Sequence, residues 1–426
     1  MVACLLIALG LRLVVIISEP QELTRDRDAY LGIATSLAEG RGFSTPNSSS
    51  PTAFRPPLYP VCLAIGLRRL PTTVTVAGIN LLAGLMTVWL TAQAGKNLQL
   101  GRLRFVAALL VAIDPLLLQY SSRPMTESLC TALAILWLWS VTTVPPPGKS
   151  QHPVWGLVSG VAFGLLVLSR PTFWAMAGCC GLIWLIGQWR RVESDKACRA
   201  RLFWQGLWSA GGTVITVAPW LIRNAIVFGT PILTTTHGGY TLLLGNNPVF
   251  YEEVVRQPWG TTWPDASQHK WEADLEAQLL HDLGPNPSEL QRDAWQSRQA
   301  KSFIAADPWG CAQAAIHRLR SLWNTVPQGD AATGVNSGAL KVVGWYYSLV
   351  LTAGLLGMIS VLTQADRNRW LWLYVLIVSV QIVHLFYWTN ARMRAPLTPA
   401  IALFAVAVIP HNPSRWNITS IKPKSA

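Results

Sequence analysis

Ten runs of mostly apolar residues constrain this chain more than any motif does; they fall at residues 2–18, 71–94, 103–120, 126–144, 154–169, 171–189, 203–222, 342–363, 369–388 and 395–410. A helix that crosses a bilayer needs about 20 predominantly apolar residues, with some leeway. Inside hydrocarbon each backbone N–H and C=O must find its partner within the segment, so such runs are helices. The expected fold is therefore an all-α polytopic membrane protein with about ten transmembrane helices. Composition agrees: 13% of the 426 residues are charged, where soluble domains carry about 25%. The 21 Trp suit a chain with many membrane–water boundaries. The seven cysteines are odd in number and form no CxxC pair, which implies neither a disulfide framework nor a zinc site.

The first run, "MVACLLIALGLRLVVIIS", lacks a basic start and a small-residue exit, so it reads as a spanning helix rather than a signal peptide. Arg12 lies inside it and is expected to face other helices, because a charge exposed to lipid there is costly. Orientation follows from three basic clusters: Lys96, Arg102 and Arg104; Arg190, Arg191, Lys196, Arg199 and Arg201; and Arg415, Lys422 and Lys424. All fall on one side, which the positive-inside rule makes cytoplasmic. The net charge of +13 is then explained by loops facing anionic lipid, and nucleic acid is not an expected partner.

Both termini are expected in the cytoplasm, and the loops 19–70 and 223–341 outside. "RPPLYPVCLAIGLRRL" is too short to cross and would reverse every later loop if it did, so it reads as a re-entrant or interfacial helix. The organisation is an N-terminal transmembrane module, 1–222, with its first outer loop at 19–70. An extracytoplasmic helical loop at 223–341, C-terminal transmembrane helices at 342–410 and a cytoplasmic tail at 411–426 follow. In the second outer loop, two helical patterns meet at Asp307–Pro308, with Ser288 as N-cap of the first. Phe303, Ile304, Ala315, Ile316, Leu319, Leu322 and Trp323 are expected to rest on the membrane domain as a small helical cap. Only "VPPPGKS" resembles a linker.

Six arginines break the charge rule. Arg55, Arg123, Arg170, Arg223, Arg392 and Arg394 fall at outer helix ends or in short outer turns, where positive charge is depleted. A single such residue is commonly a snorkelling side chain; six together call for a shared anion. The guanidinium fork suits phosphate, and at a membrane surface the obvious phosphate belongs to a lipid. Beside them stand Asp26 and Asp28, just ahead of an interfacial helix that ends near Gly40, and Glu127 after a short outer turn. Capping that helix is the structural alternative for one of the pair, and suits Asp28 better than Asp26. Carboxylates beside phosphate-binding arginines fit a general base acting on an acceptor while phosphate leaves. Tyr59, Asp114, Tyr240 and Asn246 are expected to line the cavity or its acceptor entrance. His237 and His384 stand alone and read as packing residues. There is no HExxH, phosphate loop or GxSxG elbow.

The text resembles the GT-C membrane glycosyltransferases that use polyprenyl-phosphate sugars, in the branch holding dolichyl-phosphate-mannose protein mannosyltransferases and lipid A aminoarabinose transferases. The stations are "DRDAYLGIATSLAEGRGFS", "AFRPPLYP", "DPLLLQYSSRPMTESL", "LSRPT", "PWLIRNAIVFGTPI", "GGYTLLLGNNP" and "ARMRAPLTPA". The resemblance implies a catalytic base eight positions before Ala34, which is Asp26, a donor-phosphate contact at Arg55 and a second-loop acid at Glu127. Two departures are visible: Arg27 replaces the second acid of the usual pair, and Phe54 stands where some members carry an acid. A divalent metal ion held by those acids is thereby put in question, although Asp28 offers a substitute.

The implied activity is transfer of a sugar from a polyprenyl-phosphate donor to a protein, lipid or glycan acceptor on the extracytoplasmic side, with inversion. Phosphate would be held by Arg55 with help from Arg170, Arg223, Arg392 and Arg394. A bacterial inner membrane is the implied setting. The alternative reading is a transporter or flippase of a lipid-linked sugar or anionic solute, which favours charges and broken helices near the bilayer midplane and an internal repeat.

Overall fold

The computed structural model describes residues 1–46, 49–143, 154–190, 196–328, 336–364 and 367–409. The "VPPPGKS" segment, Arg191, the cluster at Arg415, Lys422 and Lys424, the tail 411–426, and the side chains of Arg190, Lys196, Arg199 and Arg201 lie outside that description.

The N-terminal part runs α1 (Val2–Ser18), α2 (Tyr30–Ala38), α3 (Leu58–Leu67), α4 (Thr72–Asn97), α5 (Leu103–Ala112), α6 (Pro115–Gln119), α7 (Glu127–Thr142), α8 (Val154–Ser169), α9 (Trp174–Arg190) and α10 (Lys196–Phe228). The segment after α10 holds α11 (Gly238–Gly245), α12 (Pro248–Phe250), α13 (Asp265–Leu283), α14 (Glu289–Ala306) and α15 (Pro308–Leu322). The chain then returns through α16 (Ser337–Leu362), α17 (Leu371–His384) and α18 (Thr398–Ala407). Among the described residues the only β pairing is an isolated bridge between Ser44 and Pro51. The protein is an all-α polytopic membrane protein. Among the described residues three helices, Thr72–Asn97, Leu202–Phe228 and Ser337–Leu362, are each long and apolar enough to cross by themselves, and the bent pair Leu103–Ala112 and Pro115–Ser122 is so only as one broken span. Their outward faces carry exposed Val214, Ile215, Ile222, Ile226, Trp345, Leu349 and Leu355, as lipid contact requires.

Helix α3, with ten residues, extends about 15 Å, half the hydrocarbon thickness. It is thus short, as expected, and does not cross by itself. Pro115 lacks an N–H and ends α5, and the chain bends by 45° there. The carbonyls this leaves are used: Arg12 Nη1 donates to Ala112 O at 3.3 Å, and Tyr346 Oη to Leu110 O at 2.8 Å. Arg12 is 1% exposed, facing helices as its position required. Helices α8 and α10 cross at close range because Gly156, Gly160 and Gly164 recur every fourth residue on α8. A Cβ on Gly160 would collide with the Ser209 backbone, and one on Gly164 with Thr216.

In the segment after α10, Ser288 and Gln291 form a capping box on α14, and Asp307 accepts from Gly310 N at 2.7 Å to start α15. The buried stripe on α15 is Ala314, Arg318 and Leu322, whereas Ile316, expected inside, is 62% exposed. The polar helix α13 escaped notice because it has no apolar periodicity. Its signals are Pro264 before it and Gly284, at φ 86°, after it.

Candidate active site

The site gathers where the loop after α1 meets the start of α7, the end of α8 and the turn before α18. Asp28 reaches two guanidinium groups, one per oxygen: Arg55 Nη2 lies 3.1 Å from Oδ1 and Arg392 Nη1 3.2 Å from Oδ2. Arg55 Nε also donates to the Asp28 carbonyl at 2.7 Å. Glu127, 1% exposed, receives Arg170 Nη2 at 2.8 Å on Oε1, with Arg392 Nε 3.9 Å from the same oxygen. Arg392 thus bridges the two acids. Arg170 Nε is aimed by Thr126 Oγ1 at 3.1 Å. Glu127 Oε2 and Arg392 Nε are buried and have no hydrogen-bond partner among the described residues.

Local backbone explains why Asp28 turns inward. Ala29, between it and α2, is one of two non-glycine residues with positive φ among those described (φ 62°, ψ 14°). A side chain in this left-handed region is strained and persists where its surroundings hold it. The turn is held by Tyr30, whose buried ring lies 5.6 Å from the Arg55 guanidinium and meets Tyr59 edge-on.

Asp26 has a different environment. Exposed, it accepts from Gly32 N at 2.8 Å through Oδ2 and so caps the first turn of α2, while Oδ1 has no partner among the described residues. The capping role thus falls to Asp26 rather than Asp28. Burial by itself would raise the Asp28 carboxyl, but Arg392 and Arg55 outweigh it and hold the group below the ordinary carboxylate range. Beside the cluster, His237 stacks on Tyr240 and meets Phe54 edge-on, with ring centroids 5.3 and 4.3 Å apart. Burial first, then Arg55, push the imidazole down to about 3, so it is neutral at physiological pH.

Residues 55–222 match the model of the dolichyl-phosphate-mannose-protein mannosyltransferase family. Among solved structures, the chain is similar to the archaeal oligosaccharyltransferase AglB from Archaeoglobus fulgidus, in complex with an inhibitory peptide and a dolichol-phosphate. The TM-score is 0.52 at 12% identity, over 96% of this chain and 50% of that one. The apo form of the Archaeoglobus fulgidus oligosaccharyltransferase gives 0.52 at 15% identity, over 95% and 50%. The chain shares its fold with these oligosaccharyltransferases. ArnT from Cupriavidus metallidurans in the apo state gives a TM-score of 0.42 at 12% identity, over 96% of this chain and 76% of that one. The chain spans about half the length of the oligosaccharyltransferases it matches. No curated protein matches it in sequence.

Three of the five arginines expected to hold phosphate come together: Arg55, Arg170 and Arg392. Arg223 does not join them. Its guanidinium donates to Thr52 O at 2.8 Å and Phe43 O at 2.7 Å and ties the loop after α1 to α10. Arg394 is 2% exposed, donates to the Leu322 and Asn324 carbonyls, and lies over the Tyr347 ring. Arg123 faces Glu22 at 3.6 Å instead.

The expected cavity lining needs correction too. Tyr59 is fully buried with its hydroxyl on Asn80 at 3.4 Å. Asp114 caps α6 through Leu117 N at 3.0 Å and accepts from Tyr347 Oη at 3.1 Å, away from the arginine cluster. Asn246 is fully buried: its amide donates to the Leu242 and Phe386 carbonyls, and its oxygen accepts from Tyr251 and Arg318. Tyr240 lines a cavity of about 180 Å³, shared with Phe54, Thr236, Glu289, Arg292 and Gln296, whereas Asp114 borders a far smaller one beside Tyr346, Tyr347 and Arg394.

The residues do not fit a metal ion. Both Asp28 oxygens are committed to guanidinium groups, and among the described residues no three His, Cys, Asp or Glu side chains converge. Tyr30 and Thr126 are site neighbours that the sequence does not single out. The "DAY" text beside the candidate acid was the available signal for Tyr30.

Proposed function

We propose that this chain is an integral-membrane glycosyltransferase that moves a sugar from a polyprenyl-phosphate donor to an acceptor on the extracytoplasmic side. The observation that carries the reading is the convergence of Arg55, Arg170 and Arg392 on two carboxylates at the outer helix ends. Arginine forks recognise phosphate, and at a membrane surface the obvious phosphate belongs to a lipid. The family model is named for a dolichyl-phosphate-mannose donor, and the similar oligosaccharyltransferase was solved with dolichol-phosphate bound. Both support a lipid-phosphate donor here. Basic Lys96, Arg102 and Arg104 at the opposite helix ends support a site facing the periplasm or exterior, in a bacterial inner membrane or its equivalent.

In this reading Arg55 and Arg392 hold the donor phosphate. Asp26, fixed by Gly32 N through one oxygen, offers the other to an acceptor O–H or N–H. The acceptor lone pair attacks the anomeric carbon from the face opposite the phosphate. The carbon–oxygen bond to phosphate breaks with its electron pair on the phosphate oxygen, the acceptor proton passes to Asp26, and the configuration inverts. Asp28 is too firmly ion-paired to serve as that base. The Glu127–Arg170 pair aims Arg392.

The expected result for Asp26→Asn in purified, correctly inserted protein is loss of about 10²- to 10⁴-fold in transfer, with polyprenyl-phosphate binding retained. Activity near wild type removes Asp26 from the base role. For Arg55→Ala the loss is in lipid-phosphate affinity, and an unchanged titration counts against the phosphate site. Reconstituted vesicles test the reading as a whole: a lipid-linked sugar that crosses the bilayer with no new glycosidic bond identifies a transporter instead.

A further inference from the structure

Asp28 is anchored differently from an ordinary surface ion pair. Its two oxygens each face a separate guanidinium, from residues 27 and 364 positions away in sequence. Two anionic oxygens on one centre, each on its own arginine, is also the arrangement that two non-bridging oxygens of a phosphate require. The carboxylate therefore stands where a phosphate would bind.

Charge adds a second argument. Three guanidinium groups less two carboxylates leave the cluster at one net positive charge. A phosphodiester such as a polyprenyl-phosphate sugar carries one negative charge and matches it. Loss of the sugar leaves a phosphomonoester, which at neutral pH carries about −1.5 to −2. The cluster with product bound then holds more negative charge than positive, and Asp28 repels the phosphate that has replaced it.

We propose that Asp28 is a built-in competitor for the anion site: the donor phosphate displaces it from Arg55 and Arg392, and its return expels the phosphate product. This rests on the phosphate site proposed above. Asp28 is here a positioning residue and takes no proton from the acceptor. Its effect is on release, a step that limits turnover in many enzymes.

The test titrates undecaprenyl phosphate into the full chain in phosphatidylcholine nanodiscs. Removing the competing charge by Asp28→Asn should tighten binding on the order of tenfold. In turnover, kcat and KM should fall together, with stronger inhibition by added undecaprenyl phosphate. A purely supporting role for Asp28 gives the opposite sign, so weaker or unchanged binding overturns the proposal. If Asp28→Asn does not fold, wild-type protein with ¹³C-labelled aspartate carries the test. Its infrared difference spectrum on lipid addition should show a shifted carboxylate stretch, and an unchanged spectrum in the presence of bound lipid overturns the proposal. Arg55→Ala separates the two levels. No loss of lipid affinity there removes the phosphate site itself, whereas a loss there without a gain in Asp28→Asn removes only the competitor.

Discussion

Glu127 and Arg170 lie 2.8 Å apart with side-chain exposures of 1% and 12%, so removing either leaves a charge stranded away from water. Breaking such a pair typically costs about 3 to 5 kcal/mol. Arg170→Ala should therefore lower the thermal midpoint in detergent well beyond Arg223→Lys, and equal midpoints would show that the pair is already hydrated. His237 gives a pH signature. Its folded-state value near 3 lies below its ordinary 6.5, so the unfolded chain takes up a proton first as pH falls. The contribution is complete above about 6.5 and is lost progressively down to about 3. His237→Phe should flatten that part of the stability profile, as followed by tryptophan fluorescence. At this scale the sequence was readable in part. That acids and arginines would meet was legible from their placement at outer helix ends. Which acid would turn inward was not, because the left-handed turn at Ala29 uses no glycine to announce itself. The fates of Arg223, Arg394 and Asn246 were equally hidden: each satisfies backbone carbonyls supplied by distant segments.

Helices α8 and α10 depend on glycine at their crossing. Gly160→Val would push against the Ser209 backbone and should cost about 1 to 3 kcal/mol, visible as a lower detergent-solubilised yield and thermal midpoint. The same change at Gly178, which has nothing within 4 Å of its added carbon, should be tolerated far better. Element positions were the most legible part of the sequence, because apolar length and Pro or Gly stops are local properties. The cap at Ser288 and the boundary at Asp307–Pro308 fall where their text puts them. The run at 103–120 broke at Pro115, since an X-Pro step inside an apolar run ends a helix regardless of hydropathy. Helix α13 was missed because a polar, solvent-facing helix carries no periodic signal.

Across the whole molecule, the Asp28–Arg55–Arg392 cluster joins the loop after α1 to the turn before α18, and the region 238–322 is locked to both. Ala53 N donates to Glu289 at 3.0 Å, and Arg318, buried on α15, donates to the Gly245 and Leu385 carbonyls. Expressing residues 1–335 and 336–426 as separate polypeptides should abolish undecaprenyl phosphate binding in either alone and restore it on co-expression. Binding by the first fragment alone would mean that Arg392 is dispensable. The fold class was legible at this scale, since hydrocarbon permits so few answers; the pairing of distant loops was not.

The contact between Asp28 and Arg392 closes a sequence separation of 364 residues. At a synthesis rate of about 5 to 20 residues per second, roughly 20 to 70 s separate the emergence of these two side chains from the ribosome. Throughout that interval Asp28 has Arg55 within reach but not its second guanidinium partner, so the cluster closes only when the last part of the chain has been made.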